Sequence, residues 1–244
     1  MKPDKKAIDL TTAELARYID HSVLKPEFSK EEVSKLIEDG INYGCMAECV
    51  QGCWVDLALE LTRGSATKVA ACIGFPQGAC TTAVKLFEAE EYCKKGVFEI
   101  DMVANFGWIR SGMYDAVEEE IRQVAEVCHR YGIALKVIIE VDVLTPEQIV
   151  EATKRVMAAG ADFVKTSTGF ITGVESKGAT VEVVQLMMAV TQGKIKIKGA
   201  GGIRTRQHFL ELIDRGIDRM GIGYKSMDEV LGLNKSKETG KDIY

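Results

Sequence analysis

The feature that most limits how this chain can fold is alternation. Short apolar runs of strand type are each followed by a longer amphipathic run of helix type, and the pair recurs eight times with short connections. The predicted strands are Ile19–Leu24, Met46–Val50, Lys68–Phe75, Phe98–Ala104, Ala134–Glu140, Ala161–Thr166, Lys194–Lys198 and Arg219–Ile222. The predicted helices that follow them are Ser29–Tyr43, Cys53–Thr62, Thr81–Lys95, Met113–Tyr131, Pro146–Ala159, Thr180–Thr191, Thr205–Arg215 and Ser226–Leu233. One further short helix, Thr11–Tyr18, precedes the first strand. Ser29 followed by Glu31 and Glu32 is a capping-box-like start, and Gly44, Gly96, Gly132, Gly160 and Gly216 stand where helices should stop. Strict alternation demands a parallel sheet with right-handed crossovers. Eight units in 244 residues is the size of a single closed (β/α)8 TIM barrel, an α/β fold occupying 1–244 as one domain. The rival, an open doubly wound sheet, would carry a glycine-rich nucleotide loop after its first strand. Here that strand ends in V-L-K-P. Met1–Leu10 and Asn234–Tyr244 are polar and read as a frayed start and a mobile tail.

Composition narrows the function. Hydrophobic content of 46% and charged content of 27% are those of a soluble globular chain. A net charge of -5 argues against general nucleic-acid binding, so an anionic ligand must meet local positive charge. Neither a membrane-spanning apolar run nor a signal-peptide pattern is present, and the expected location is the cytoplasm. The seven cysteines are odd in number and scattered, which suits free thiols in a reducing compartment. Cys45, Cys49 and Cys53 are spaced by four, but no comparable Cys/His cluster completes a zinc site, and the chain has three histidines. No metal and no cofactor is expected.

The sixth strand carries the chemistry. Gly160–Phe170 reads G-A-D-F-V-K-T-S-T-G-F, a short buried strand that ends in a lysine and enters a hydroxyl-rich loop. Alternation puts Ala161, Phe163 and Lys165 on one face. In a barrel, inward residues at the carboxyl ends of strands build the site, which draws attention to Lys165, Lys198 and Asp101. Burial and a second ammonium both disfavour the charged form of an amine, and a neutral amine attacks carbonyls. A nucleophilic amine, a second lysine and a carboxylate that passes protons are the parts that Schiff-base carbon–carbon chemistry requires. Ion-pair networks have the same composition, so this reading stays beside a structural one at this point. Glu99 and Lys136 lie deeper by strand parity and are expected as a buried ion pair that fills the barrel, and Lys136, Ile138 and Glu140 should share one face. Gly199, Gly201 and Gly202 after the seventh strand, and Gly221 and Gly223 after the eighth, mark loops of the kind that bind phosphate in such barrels.

These stretches together resemble the deoxyribose-phosphate aldolase family, class I aldolases built on a (β/α)8 barrel. The matching segments are I-D-H-S-V-L-K-P (Ile19–Pro26), I-G-F-P-Q-G-A (Ile73–Ala79), E-I-D-M-V-A-N (Glu99–Asn105), L-K-V-I-I-E (Leu135–Glu140), G-A-D-F-V-K-T-S-T-G-F, and K-G-A-G-G-I-R-T (Lys198–Thr205). The resemblance implies Lys165 as the Schiff-base lysine, Asp101 and Lys198 as proton-relay partners, and the terminal Tyr244 as a group that moves the proton on the enamine carbon. It implies Cys49 and Thr168 as pocket lining; Asp20, Gly169, Gly201, Gly202, Gly223 and Lys225 complete the expected substrate contacts, Lys225 from a loop that departs from the family pattern. The implied reaction is reversible cleavage of 2-deoxyribose 5-phosphate to acetaldehyde and glyceraldehyde 3-phosphate, in a homodimer, without metal or organic cofactor.

Three segments depart from the family pattern. Paired small hydroxyl residues usually follow the last strand, where this chain has Ile222-Gly223-Tyr224-Lys225-Ser226. The loop Ile171–Lys177 is longer and carries Glu175 and Lys177. The second strand reads E-C-V-Q-G in place of a V-C-V-N-P type. The departures leave open an aldolase acting on another hydroxy-aldehyde, and a barrel that only binds a sugar phosphate. If Lys225 and Lys177 turn inward, they rebuild the anion site with charged contacts.

Overall fold

A computed structural model describes residues 5–233. The eight strands close a barrel in sequence order, every neighbouring pair parallel. They are β1 (Ile19–Val23), β2 (Ala47–Val50), β3 (Lys68–Ile73), β4 (Glu99–Val103), β5 (Ala134–Ile138), β6 (Phe163–Lys165), β7 (Lys196–Ala200) and β8 (Arg219–Gly223). Around them run α1 (Thr12–Ala16), α2 (Lys30–Tyr43), α3 (Val55–Leu61), α4 (Thr82–Lys95), α5 (Phe106–Arg110), α6 (Tyr114–Arg130), α7 (Pro146–Ala158), α8 (Val181–Thr191), α9 (Arg206–Arg215) and α10 (Met227–Leu231).

The helices start where side chains can satisfy their first N–H groups. Thr11 with Glu14, Ser29 with Glu32, and Thr145 with Gln148 form reciprocal capping boxes, the last with Pro146 in the first turn. The outward faces of the strands and the inward stripes of the helices share one large apolar core, including Ile100, Met102, Leu135, Val137, Val164, Ile197, Met220 and Ile222. Inside the barrel the packing is polar, because the inward positions of β1, β4, β5, β6, β7 and β8 carry Asp20, Glu99, Asp101, Lys136, Lys165, Lys198 and Arg219.

Four sequence expectations are corrected. Ala7–Asp9 is a single 3-10 turn, not a frayed start: Ala7 is fully buried, and its N–H donates to Asp214 Oδ1 at 2.7 Å. Five residues of helix α5, capped by Asn105, follow β4 where a loop was expected. Strand β7 begins at Lys196, and Lys194 sits in the preceding turn, accepting no place in the ladder. Strand β5 ends at Ile138, and Glu140 has φ 61°, which breaks the pleat that would have placed it on the face of Lys136.

The candidate active site

Lys165 is the last residue of β6, as its motif suggested, whereas Asp101 and Lys198 sit in the middle of their five-residue strands. Strand ends are therefore not what brings them together. Register does: Lys165 is the lateral partner of Lys198, and Asp101 of Lys136, so the inward side chains meet on the barrel axis. Asp101 Oδ2 accepts from Lys165 Nζ and from Lys198 Nζ, both at 2.7 Å, while its Oδ1 accepts from Lys136 Nζ at 3.0 Å. Asp20 holds the other side of the cluster, receiving Lys198, Lys136 at 3.0 Å and Arg219 at 2.6 Å. Glu99 closes the floor against Lys136 and Arg219. The Glu99–Lys136 pair expected from parity exists, but it is continuous with the site and not separate from it.

Burial penalises the charges of Asp101, Asp20 and Lys198, and the opposite charges outweigh the penalty. Asp101 is held well below the usual carboxylate range against burial by Lys136, Lys165 and Lys198. Asp20 is lowered in the same way by Lys136, Lys198 and Arg219. For Lys198 burial works downward, yet Asp101 and Asp20 raise it well above an ordinary lysine. Lys198 is thus a persistent cation beside Lys165.

Counting partners separates the three lysines. Lys136 touches three carboxylates, Lys198 two, and Lys165 one, which it shares. Of the charged cluster, Lys165 alone lines the cavity at the carboxyl end of the barrel, about 370 Å³ in volume. Thr168, Gly169, Phe170, Gly201, Gly202, Gly221 and Gly223 also line it, together with Ser22, Lys25, Arg204, Tyr224 and Ser226. Asp20, Asp101, Lys198 and Cys49 are fully buried behind that wall. Neither Cys49 nor Asp20 is therefore the cavity contact that was expected.

Loops after β6 and β7 touch backbone to backbone. Ala179 N–H donates to Gly201 O at 2.9 Å, and a Cβ on Gly178 would lie 2.3 Å from that oxygen. Gly201 itself has φ 83°, a conformation that favours glycine. Asp142 fastens the longer loop, accepting from Lys177 N and Gly178 N at 2.7 and 2.6 Å and from Ser176 Oγ at 3.2 Å. Buried Glu140 accepts from the Thr168 hydroxyl and N–H, and so orients the first residue of the cavity wall after Ser167.

The two lysines expected to rebuild an anion site do not reach it. Lys177 Nζ donates to Leu144 O at 2.9 Å. Lys225 is absent from the cavity wall, and its amine lies 6.0 Å from the Tyr224 ring centroid. Tyr224 leans edge-on against Phe28, centroids 5.6 Å apart. Besides Lys165, the cations on the wall are Lys25 and Arg204, and of the loop after β8 Ser226 brings a hydroxyl residue to it. Arg204 was legible in principle, since it follows Gly201-Gly202 inside a quoted motif. Lys25 likewise lies inside a quoted motif, I-D-H-S-V-L-K-P, just after β1. Tyr244 lies outside the described residues.

A closed parallel barrel in which one lysine of the buried charged cluster borders the cavity, backed by a charged lysine and a shared carboxylate, has the architecture of a class I, Schiff-base aldolase. Residues 14–227 match the family described as DeoC/LacD family aldolase. The deoxyribose-phosphate aldolase of Thermococcus gammatolerans is 46% identical over 210 residues, 85% of this chain and 92% of that protein. The solved structure of QR15, an aldolase, superposes with a TM-score of 0.81 at 35% identity, covering 90% of this chain and 95% of that one. A tetrameric deoxyribose phosphate aldolase from Aeropyrum pernix superposes with a TM-score of 0.81 at 28% identity, covering 95% and 96%. The chain belongs to the DeoC/LacD aldolase family.

Proposed function

We propose that this protein is a deoxyribose-phosphate aldolase, reversibly cleaving 2-deoxyribose 5-phosphate to acetaldehyde and glyceraldehyde 3-phosphate through an imine on Lys165. The observation that carries the reading is the partner count. Three lysines crowd the barrel, and the one at the cavity has a single, shared carboxylate. Lys165 adds to the aldehyde carbon of the open-chain sugar and, after loss of water, forms an iminium. A base takes the proton of the C3 hydroxyl, the C2–C3 bond breaks, and its electron pair enters the iminium to give an enamine. Glyceraldehyde 3-phosphate leaves. Protonation of the enamine carbon and addition of water release acetaldehyde and restore the amine. Asp101, bonded to both Lys165 and Lys198 in this structure, is the group through which protons pass between them. Tyr244 is assigned to the enamine proton on the resemblance alone.

Phosphate recognition falls to the glycine loops at Gly201–Gly202 and Gly223, with Arg204, Lys25 and the Ser226 hydroxyl on the same wall. Turnover of 2-deoxyribose 5-phosphate, measured against unphosphorylated deoxyribose, tests this reading. A strong preference for the phosphorylated sugar is expected. A preference for the unphosphorylated sugar would instead support the same chemistry on a neutral hydroxy-aldehyde.

A homodimer is proposed on the same resemblance, with the exposed pair Val84 and Phe87 on α4 as its apolar contact. Sedimentation of Phe87→Glu against the parent checks it. Among the described residues no helix is long and apolar enough to cross a membrane. Seven free cysteines suit a reducing, cytoplasmic setting.

A further inference from the structure

Cys72 has no part in the Schiff-base chemistry, yet it lies inside the barrel beside the groups that do. Strand register makes it the lateral partner of Asp101. Its sulfur is 3.5 Å from the sulfur of Cys49, which in turn is 3.8 Å from Asp101 Oδ2. The three donor atoms lie within 4.8 Å of one another, and all three residues are buried. We infer that Cys49, Cys72 and Asp101 form a site for a thiophilic d10 divalent cation, Zn2+ or Cd2+, whose binding takes Asp101 away from Lys165 and Lys198 and so shuts off the aldolase.

Spacing suits a metal. Ligands at about 2.3 Å (sulfur) and about 2.0 Å (oxygen) from a tetrahedral ion stand roughly 3.8 Å apart for two sulfurs and roughly 3.5 Å for sulfur and oxygen. The Cys49–Cys72 and Cys49–Asp101 distances are within a few tenths of these, and Cys72 and Asp101 lie within 4.8 Å of each other. Register pairs Cys49 with Ala70, so Cys72 is a diagonal neighbour on β3, and the two sulfurs, 3.5 Å apart, already stand near the spacing of two ligands of one ion.

Charge does not oppose the site. Binding replaces two thiol protons by one divalent ion, M2+ + 2 RSH → M(SR)2 + 2 H+, so the net charge of the barrel interior is unchanged. Access is short: the apolar cluster that holds the two cysteines includes Leu24 and has Phe170 packed against it, and both of these also line the substrate cavity. A fourth position is left for water. The inhibitory consequence rests on the proposed role of Asp101, whereas the binding itself does not.

The test titrates the reduced, metal-free full-length chain with Cd2+, followed by thiolate-to-cadmium absorption and by equilibrium dialysis. One equivalent should bind, with Cys72→Ala weakening affinity by at least about 100-fold and Cys72→Ser doing likewise. Asp101→Asn should weaken it by about tenfold. Cys93→Ala, which alters a thiol on α4, should leave the titration unchanged. In the same concentration range Cd2+ should abolish cleavage of deoxyribose 5-phosphate, a chelator should restore it, and Cys72→Ala should cleave normally and resist the metal. An absorption signal that survives Cys72→Ala overturns the site. Tight binding that leaves activity and the Asp101→Asn titration unaffected overturns Asp101 as a ligand. If the parent chain cleaves no deoxyribose 5-phosphate, the proposed function falls while the absorption titration still decides the metal site.

Discussion

Two buried lysines show how this fold separates structure from chemistry. Lys85, on α4, lies between the barrel and α6, where its amine donates to Glu120 Oε2 at 2.8 Å and to Gly78 O at 2.9 Å. Glu120 is its own carboxylate, with Thr82 Oγ1 and Asn105 N–H as further donors to it. Lys165 is almost as deeply buried, 3% exposed against 0%. Its carboxylate, however, is shared with Lys198 and Lys136, and its tip borders a cavity. Burial alone does not make a lysine reactive. A private carboxylate and a closed environment make it a tether, while a shared carboxylate and an open side leave it free to bond to something else.

The contrast can be broken by exchanging the effects of mutation. Lys165→Ala should abolish turnover and leave the thermal midpoint close to the parent. Lys85→Met strands Glu120 and should cost about 3–5 kcal/mol of stability while the surviving folded protein still turns over substrate. Loss of activity without loss of stability in Lys85→Met would erase the distinction. Thermal melts and steady-state assays on the two variants decide it.

A shared carboxylate also implies shared consequences. Asp101→Asn and Lys198→Met should each lower kcat by about 100-fold or more, and the double variant should be little worse than the poorer single. Fully additive losses would mean that Lys198 acts independently of Asp101. The same rate measurements on Lys136→Met sharpen the point. Lys136 touches three carboxylates and no cavity, so its loss should appear mainly as lost stability.

A smaller effect is expected at the anion wall. Arg204→Ala should raise KM for deoxyribose 5-phosphate by about tenfold, the scale of one charge-assisted contact, and leave KM for deoxyribose nearly unchanged. Lys225→Ala should do neither, because the Lys225 amine is not on that wall. The reverse pattern would return the anion site to the loop where the sequence placed it.

The smallest effect lies outside the barrel. Burial beneath α2 pushes the Glu48 carboxyl up to about 7 from an ordinary value of 4.5, against the pull of His21. A folded-state value above the unfolded one means that the native state holds the extra proton. The associated stability is full below about 4.5 and is lost as pH rises through about 7. Glu48→Gln should therefore flatten the fall of the thermal midpoint across that window. An unchanged slope would assign it to other groups.

The sequence was most informative where one residue sets its own environment. Alternation placed all eight strands, and capping residues placed the helix starts at Thr11 and Ser29. Inward alternation correctly joined Lys165 to its neighbours on β4 and β7. What was hidden depends on register between strands. No pattern in the chain shows that Cys72 faces Cys49, or that Arg219 closes the floor against Asp20 and Glu99. Loop side chains were equally opaque, since an exposed lysine such as Lys225 or Lys177 has no periodicity to say where it points. Glu140 illustrates the remaining failure: a single positive φ ended the strand and moved a carboxylate that alternation had assigned.

The central claim is that Lys165, and no other lysine, carries the imine. Incubation with acetaldehyde and borohydride, then peptide mapping by mass spectrometry, measures it directly. The account predicts one reduced adduct, on Lys165, absent from Lys165→Ala and still formed in Lys85→Met. An adduct on Lys198 or Lys136, or one that persists in Lys165→Ala, would contradict it.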